Sequence, residues 1–89
     1  MKAHDVLVKA RALIADPERW IKKTMKDDEG RMCMVQAIKE VDAIGVGGVD
    51  AIMALERYTQ MPPSKFNDLD KTTHADVIRI FDQAIERTK

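Results

Sequence analysis

The run Ala3-His4-Asp5-Val6-Leu7-Val8-Lys9-Ala10-Arg11-Ala12-Leu13-Ile14-Ala15-Asp16-Pro17 decides the fold class. Ala3, Val6, Leu7, Ala10, Leu13 and Ile14 recur at the i, i+3, i+4, i+7 spacing of one helix face. Lys2, Asp5, Lys9 and Asp16 fall outside that stripe. The pattern predicts a helix over 3–15 that stops at Asp16-Pro17, because a proline disfavours helical geometry in the residue before it. Pro17 itself suits the first position of a short helical turn through Trp20 and Ile21. The indole NH of Trp20 then needs an acceptor.

Further along, residues 22 to 30 are polar, and residues 27 to 30 read as a turn closed by Gly30. Two short extended pieces fit this stretch, but no sheet is expected. A second amphipathic segment spans 31–43, with Cys33, Met34, Ala37, Ile38, Val41 and Ile44 on one face and Val35, Gln36, Lys39 and Asp42 away from it. Asp27, Asp28 and Glu29 precede it, where negative charge suits the helix dipole. Gly45-Val46-Gly47-Gly48 reads as a flexible turn between helices, with Gly45 as a C-terminal cap.

A further helix is expected over 49–60, with Ala51, Ile52, Leu55, Tyr58 and Thr59 inward. Met61-Pro62-Pro63 ends it. Residues 64–72 show no helical period, yet Phe66 and Leu69 make them a packed loop. The last helix opens on a capping box of Thr73 with Asp76, and turns Val77, Ile78, Phe81, Ala84 and Ile85 inward. The fold expected is all-α: one domain over residues 1–89, a compact bundle of four main helices plus a short helical turn, with the first and last helices packed together.

Composition narrows the function classes. Fifteen Lys plus Arg balance fifteen Asp plus Glu, which argues against general nucleic-acid binding. Lys22, Lys23 and Lys26, near Arg19 and Trp20, form the one basic cluster, and the following acids cancel its field, so a solvated face is expected. A single cysteine allows no internal disulfide and suits a reducing, cytoplasmic setting. No apolar run nears the roughly 20 residues of a membrane span.

Several landmarks occur together: Asp16-Pro17 with Trp20 just after, the acidic turn closed by Gly30, a helix entered at Cys33, Phe66-Asn67-Asp68, Thr73-His74, and Asp82 late in the final helix. In this combination the chain resembles a family of small uncharacterised bacterial and phage proteins, known only as a domain of unknown function. The resemblance spans nearly the whole chain and implies no activity or cofactor. It admits a phage anti-defence role, by blocking a host protein or sequestering a small ligand. Where relatives usually carry glycine, this chain has Gln36, which implies looser or different packing there.

The polar and nucleophilic residues offer three chemistries. Cys33 with His74 as base and Asp68 or Asn67 as orienter would form an activated thiol. However, Cys33 shares the apolar face of its helix, and the dipole at the start of the last helix opposes an imidazolium at His74. Packing is therefore expected ahead of catalysis. Asp68, Asp70 and His74 fit no standard metal spacing, and no metal or cofactor is expected. Trp20, Asn67, Asp68, Thr73 and His74 together could bind a small ligand of nucleotide type, although turn-building is the expected role of Asn67 and Asp68.

Methionine provides the remaining signal. Met53 lies off the core stripe of its helix, and Val49, Arg57 and Ile80 are expected beside it on an exposed partner surface. A small interaction or regulatory module is thus expected, self-associating or bound to a larger protein.

Overall fold

Val6, Leu7, Ala10 and Ile14 have no exposed surface, so the stripe read from the first fifteen residues is the centre of the core. They belong to or directly follow α1 (Ala3–Leu13) in a computed structural model that describes residues 1–43 and 45–89. Leu13, placed on that stripe from the sequence, is instead exposed. The expected helical turn follows as a 3-10 turn, Pro17–Arg19. The remaining helices are α2 (Met34–Val41), α3 (Val46–Thr59), α4 (Pro63–Asp68) and α5 (His74–Arg87). The protein is an all-α bundle in which four longer helices surround one core.

α1 packs against α2, α3 and α5. Its pairing with α5 brings the two ends of the chain together. Arg11 Nε donates to Asp82 at 2.6 Å, and His4 Nδ1 lies 3.2 Å from the Ile85 carbonyl. Phe81, Val77 and Ala84 from α5 meet Leu55 and Ala51 from α3 and Met34, Ala37 and Ile38 from α2 in the same buried cluster. Met32 and Met34 are buried and fill space that aromatic rings would otherwise occupy, whereas Met25 is exposed.

The second segment is shorter than the 31–43 expected from its pattern. Cys33 is its N-cap, its sulfur accepting from the Gln36 amide at 3.4 Å, and the helix ends at Val41. Val35, expected outside, is instead at the edge of the buried cluster. The acids at 27 to 29 are not at the helix start. They form their own turn, in which Gly30 takes φ 81 and Asp27 accepts from the backbone amides of Glu29 and Arg31. Two isolated bridges pair Met32 with Trp20 and with Lys26. Ile44 lies outside the described residues.

Gly45 does not cap α2. It is the N-cap of α3, with an ordinary extended φ of −80°, and α3 begins at Val46 rather than Val49. Gly47 and Gly48 are therefore helical, and both are buried. A Cβ on Gly48 would run into the backbone carbonyl of Asp42, and one on Gly47 into that of Met1. The glycines are there for close approach rather than flexibility. The segment at 64–72 also holds a helix, α4, which Pro63 opens at its first position.

The capping box of α5 is present as expected. Thr73 Oγ1 accepts from the Asp76 amide at 3.2 Å, and Asp76 Oδ2 accepts from the Thr73 amide at 3.0 Å. The Thr73 amide, followed by the Arg79 guanidinium, holds the Asp76 carboxyl below its ordinary range. A carboxyl lowered in the folded state contributes stability that is fully present above its unfolded pKa and is lost as pH falls through the folded value. Asp76→Asn should therefore melt below the wild type near neutrality, and the gap should close once the pH drops well under about 4. Thermal melts across that range check this. A gap that stays constant into acid would mean that the charge of Asp76 is not what the cap uses.

Candidate functional site

Of the residues singled out for chemistry, Trp20, Asn67 and Asp68 are joined by hydrogen bonds at α4, His74 touches this group only through the Trp20 ring, and Thr73 is occupied in the cap of α5. Asn67 sits on α4 with no exposed surface. Its side-chain oxygen accepts from Trp20 Nε1 at 2.6 Å and from the Met34 amide at 3.2 Å. Its nitrogen donates to the Ile21 carbonyl and to Asp68 Oδ1, both at 3.1 Å. A carboxamide has two acceptor sites and two donors, and here all four are filled from within the protein. Asn67 is the acceptor that the Trp20 indole requires, and it joins the Trp20 turn, the start of α2 and α4 at one point.

Asp68 continues the same clasp. Its Oδ1 also accepts from the amide of Lys23 at 2.8 Å, where Lys23 holds the left-handed φ of 69°. The local bond offsets the steric cost of that conformation. Lys22 donates to the Leu69 carbonyl at 2.7 Å and lies 5.9 Å from the centre of the Trp20 ring. Lys26 pairs with Glu40 at 2.9 Å. Hydrogen bonds from Lys26 and Gln36 hold the Glu40 carboxyl below its ordinary range. Lys22 and Lys26 thus tie the 22–30 segment to the end of α4 and to α2, while Lys23 and Lys26 keep the exposed position expected of them.

His74 opens α5 and its Nε2 donates to the Ile14 carbonyl at 2.7 Å, just past the end of α1. Its ring stacks at a tilt of 57° on Trp20, with centroids 5.8 Å apart. Cys33 is buried, and its sulfur is engaged with the Gln36 amide and with Met25 Sδ at 3.6 Å. Among the described residues no hydrogen bond joins Cys33 to His74 or Asp68. Each is held by a different part of the fold, so the geometry of an activated thiol is not assembled. Among the described residues every buried side-chain nitrogen and oxygen has a partner. The cluster works as a clasp.

The surface expected around Met53 has a different character. Val46, Val49, Asp50, Met53, Glu56 and Arg57 are all exposed, and the helical repeat places them on one outward arc of α3. Val46 is 77% exposed, Val49 56% and Met53 63%. Ile80, expected on this surface, is only 3% exposed. α5 packs against both α1 and α3, so its buried arc is wider than a single-sided stripe and takes in Ile80. Val46 replaces it, a residue that a helix starting at 49 would leave in the preceding turn.

A family model matches residues 1–87 of the chain. The chain belongs to DUF6197, a family of unknown function. No curated protein and no solved structure matches it. Two further features of this DUF6197 chain escaped the sequence. One is an open groove of about 540 Å³ between α3 and α5, lined by Tyr58, Arg79, Asp82, Gln83, Glu86 and Arg87. The other is a polar recess of about 450 Å³ where Asp16, Glu18, Arg19, Glu29 and Arg31 meet. Both are formed by elements that lie apart in the chain. Among the described residues, no helix of this DUF6197 chain is long and apolar enough to cross a membrane, and no three His, Cys, Asp or Glu side chains group as metal ligands.

Proposed function

We propose that this chain is a small protein-interaction module of the cytoplasm, working through the outer face of α3. The observation that supports this reading is the line of Val46, Val49 and Met53, three large apolar side chains exposed at helical spacing with Asp50 and Arg57 beside them. Apolar residues scattered singly on a surface need no explanation, but a contiguous stripe marks a contact surface. Methionine adds to this because its unbranched, polarisable side chain adapts to the shape it meets. The contrast with the Trp20–Asn67–His74 clasp also supports it, since the polar groups there are turned to one another.

Site-specific photocrosslinking tests the reading. A benzoylphenylalanine replacing Met53, in cells that express the chain, is expected to give a discrete crosslinked protein band. The same probe replacing Lys9, on the solvent side of α1, is expected to give none. Equal labelling from the two positions, or no product from position 53, overturns the proposal. Mass spectrometry of the product distinguishes a second copy of this chain from a different protein.

A further inference from the structure

We infer that Met25 is an oxidation site that controls access to Cys33: a peroxide that converts its thioether to the sulfoxide lifts the cover from the thiol. This role does not depend on the α3 face.

Met25 and Cys33 stand at the two ends of a loop that closes on itself. The Cys33 amide donates to the Met25 carbonyl at 2.9 Å, Lys26 and Met32 pair one step further in, and the Asp27 amide donates to the Arg31 carbonyl at 3.0 Å. These bonds hold the first and last side chains of the loop next to each other. The Cys33 thiol donates to Met25 Sδ at 3.6 Å, and the Cys33 sulfur accepts from the Gln36 amide. Among the described residues, Met25 is the methionine whose sulfur takes a hydrogen bond. Cys33 is 3% exposed and Met25 38%. Met32 and Met34, on either side of Cys33 in the chain, are buried. Met25 is therefore the sulfur of this group that an oxidant in solvent meets first.

Oxidation changes what that side chain can do. One oxygen atom passes from the peroxide to Sδ: the O–O bond breaks, an S–O bond forms and water leaves, the sulfur being oxidised and the peroxide reduced. A thioether is apolar enough to lie on a buried thiol, whereas a sulfoxide is polar and binds water. The two sulfurs are already in contact at 3.6 Å, so the new oxygen does not fit between them. It must face solvent, and its hydration draws the side chain off Cys33. The backbone bonds of the loop do not involve Sδ and stay in place, so the cover leaves without unfolding. Methionine sulfoxide reductases return the thioether, which makes the change reversible.

Thiol labelling of the whole chain tests this. The protein is treated with hydrogen peroxide and then with dithiothreitol, which reverses sulfenic acid and disulfide but leaves sulfoxides. Peptide mass spectrometry reports the sulfoxide at Met25, and iodoacetamide reads the rate at Cys33. Oxidation of Met25 should speed that labelling by about tenfold or more, and a methionine sulfoxide reductase should reverse the gain. Met25→Leu keeps an apolar cover of similar volume, so its Cys33 should label slowly with or without peroxide, although Met1 and Met53 are still exposed to the oxidant. Met25→Ala should label fast with no oxidant at all. In the oxidised wild type the rate should not climb in dilute urea, because losing the cover needs no unfolding. An unchanged rate after Met25 is oxidised overturns the inference, since the sulfoxide then still covers the thiol. So does an equal gain in Met25→Leu, slow labelling of Met25→Ala, or a gain that follows the unfolding equilibrium in urea.

Discussion

Replacing Asn67 with alanine is expected to lower stability by about 3–4 kcal/mol and the melting temperature by roughly 15–25 °C. The side chain is fully buried and makes four hydrogen bonds. Truncation strands the Trp20 indole NH, the Met34 amide and the Ile21 carbonyl, and each orphaned buried group costs about 1–3 kcal/mol. Some of that is recovered where water reaches the partly buried Trp20 edge, which is why the expected figure lies below the sum. Against a total stability of roughly 4–13 kcal/mol for a chain of this length, the loss approaches the threshold of unfolding. Asn67→Asp separates the two halves of the clasp. It keeps an acceptor for Trp20 and Met34 but points a second oxygen at the Ile21 carbonyl and at Asp68. It should therefore be destabilised to a similar degree, and more strongly at neutral than at acid pH. Urea unfolding of both variants measures this, and a loss under about 1 kcal/mol for the alanine variant would show that Asn67 is not the point of attachment.

Gly48→Ala should destabilise the protein by about 2–3 kcal/mol, against the usual sign of such a change. In an exposed helix, alanine for glycine gains up to about 1 kcal/mol from backbone entropy. At Gly48 the new methyl would overlap the Asp42 backbone carbonyl, so the end of α2 must move away from the first turn of α3. That end is itself held, because Asp42 Oδ1 accepts from the Gly45 amide at 2.8 Å. Gly47→Ala makes an informative comparison. Its obstacle is the carbonyl of Met1, a residue 59% exposed that has room to shift, so its cost should stay below about 1 kcal/mol. Equal effects at the two glycines would mean that the close approach of α2 and α3 is not what requires them.

The features legible in the sequence are those that one helix decides alone. The α1 stripe, the helical turn opened by Pro17 and the Thr73–Asp76 box each depend on residues within a turn or two of each other, and each is present, although α1 ends at Leu13, two residues short of the expected span, and Leu13 itself is exposed. Some local signals point two ways. Pro63 reads as a terminator, yet proline at a first helical position opens α4, and the glycine run reads as a hinge although it packs. The rest was out of reach for a different reason. Nothing near Trp20 shows that its acceptor lies 47 positions on at Asn67, and no single-helix periodicity can show that Ile80 is covered from two sides. Met53 and Val49 were legible because the exposed side of a helix is simply the complement of its core stripe.

The pairing of α1 with α5 also bears on how the protein is made. α5 supplies Val77, Phe81 and Ala84 to the core and is the last of these helices to be synthesised. Sixty-one positions separate the end of α1 at Leu13 from the start of α5 at His74. At about 5–20 residues per second, translation leaves the α1 stripe without its final cover for roughly 3–12 seconds. Over that interval Val6, Leu7 and Ala10 lack the cover that Val77, Phe81 and Ala84 provide in the folded protein.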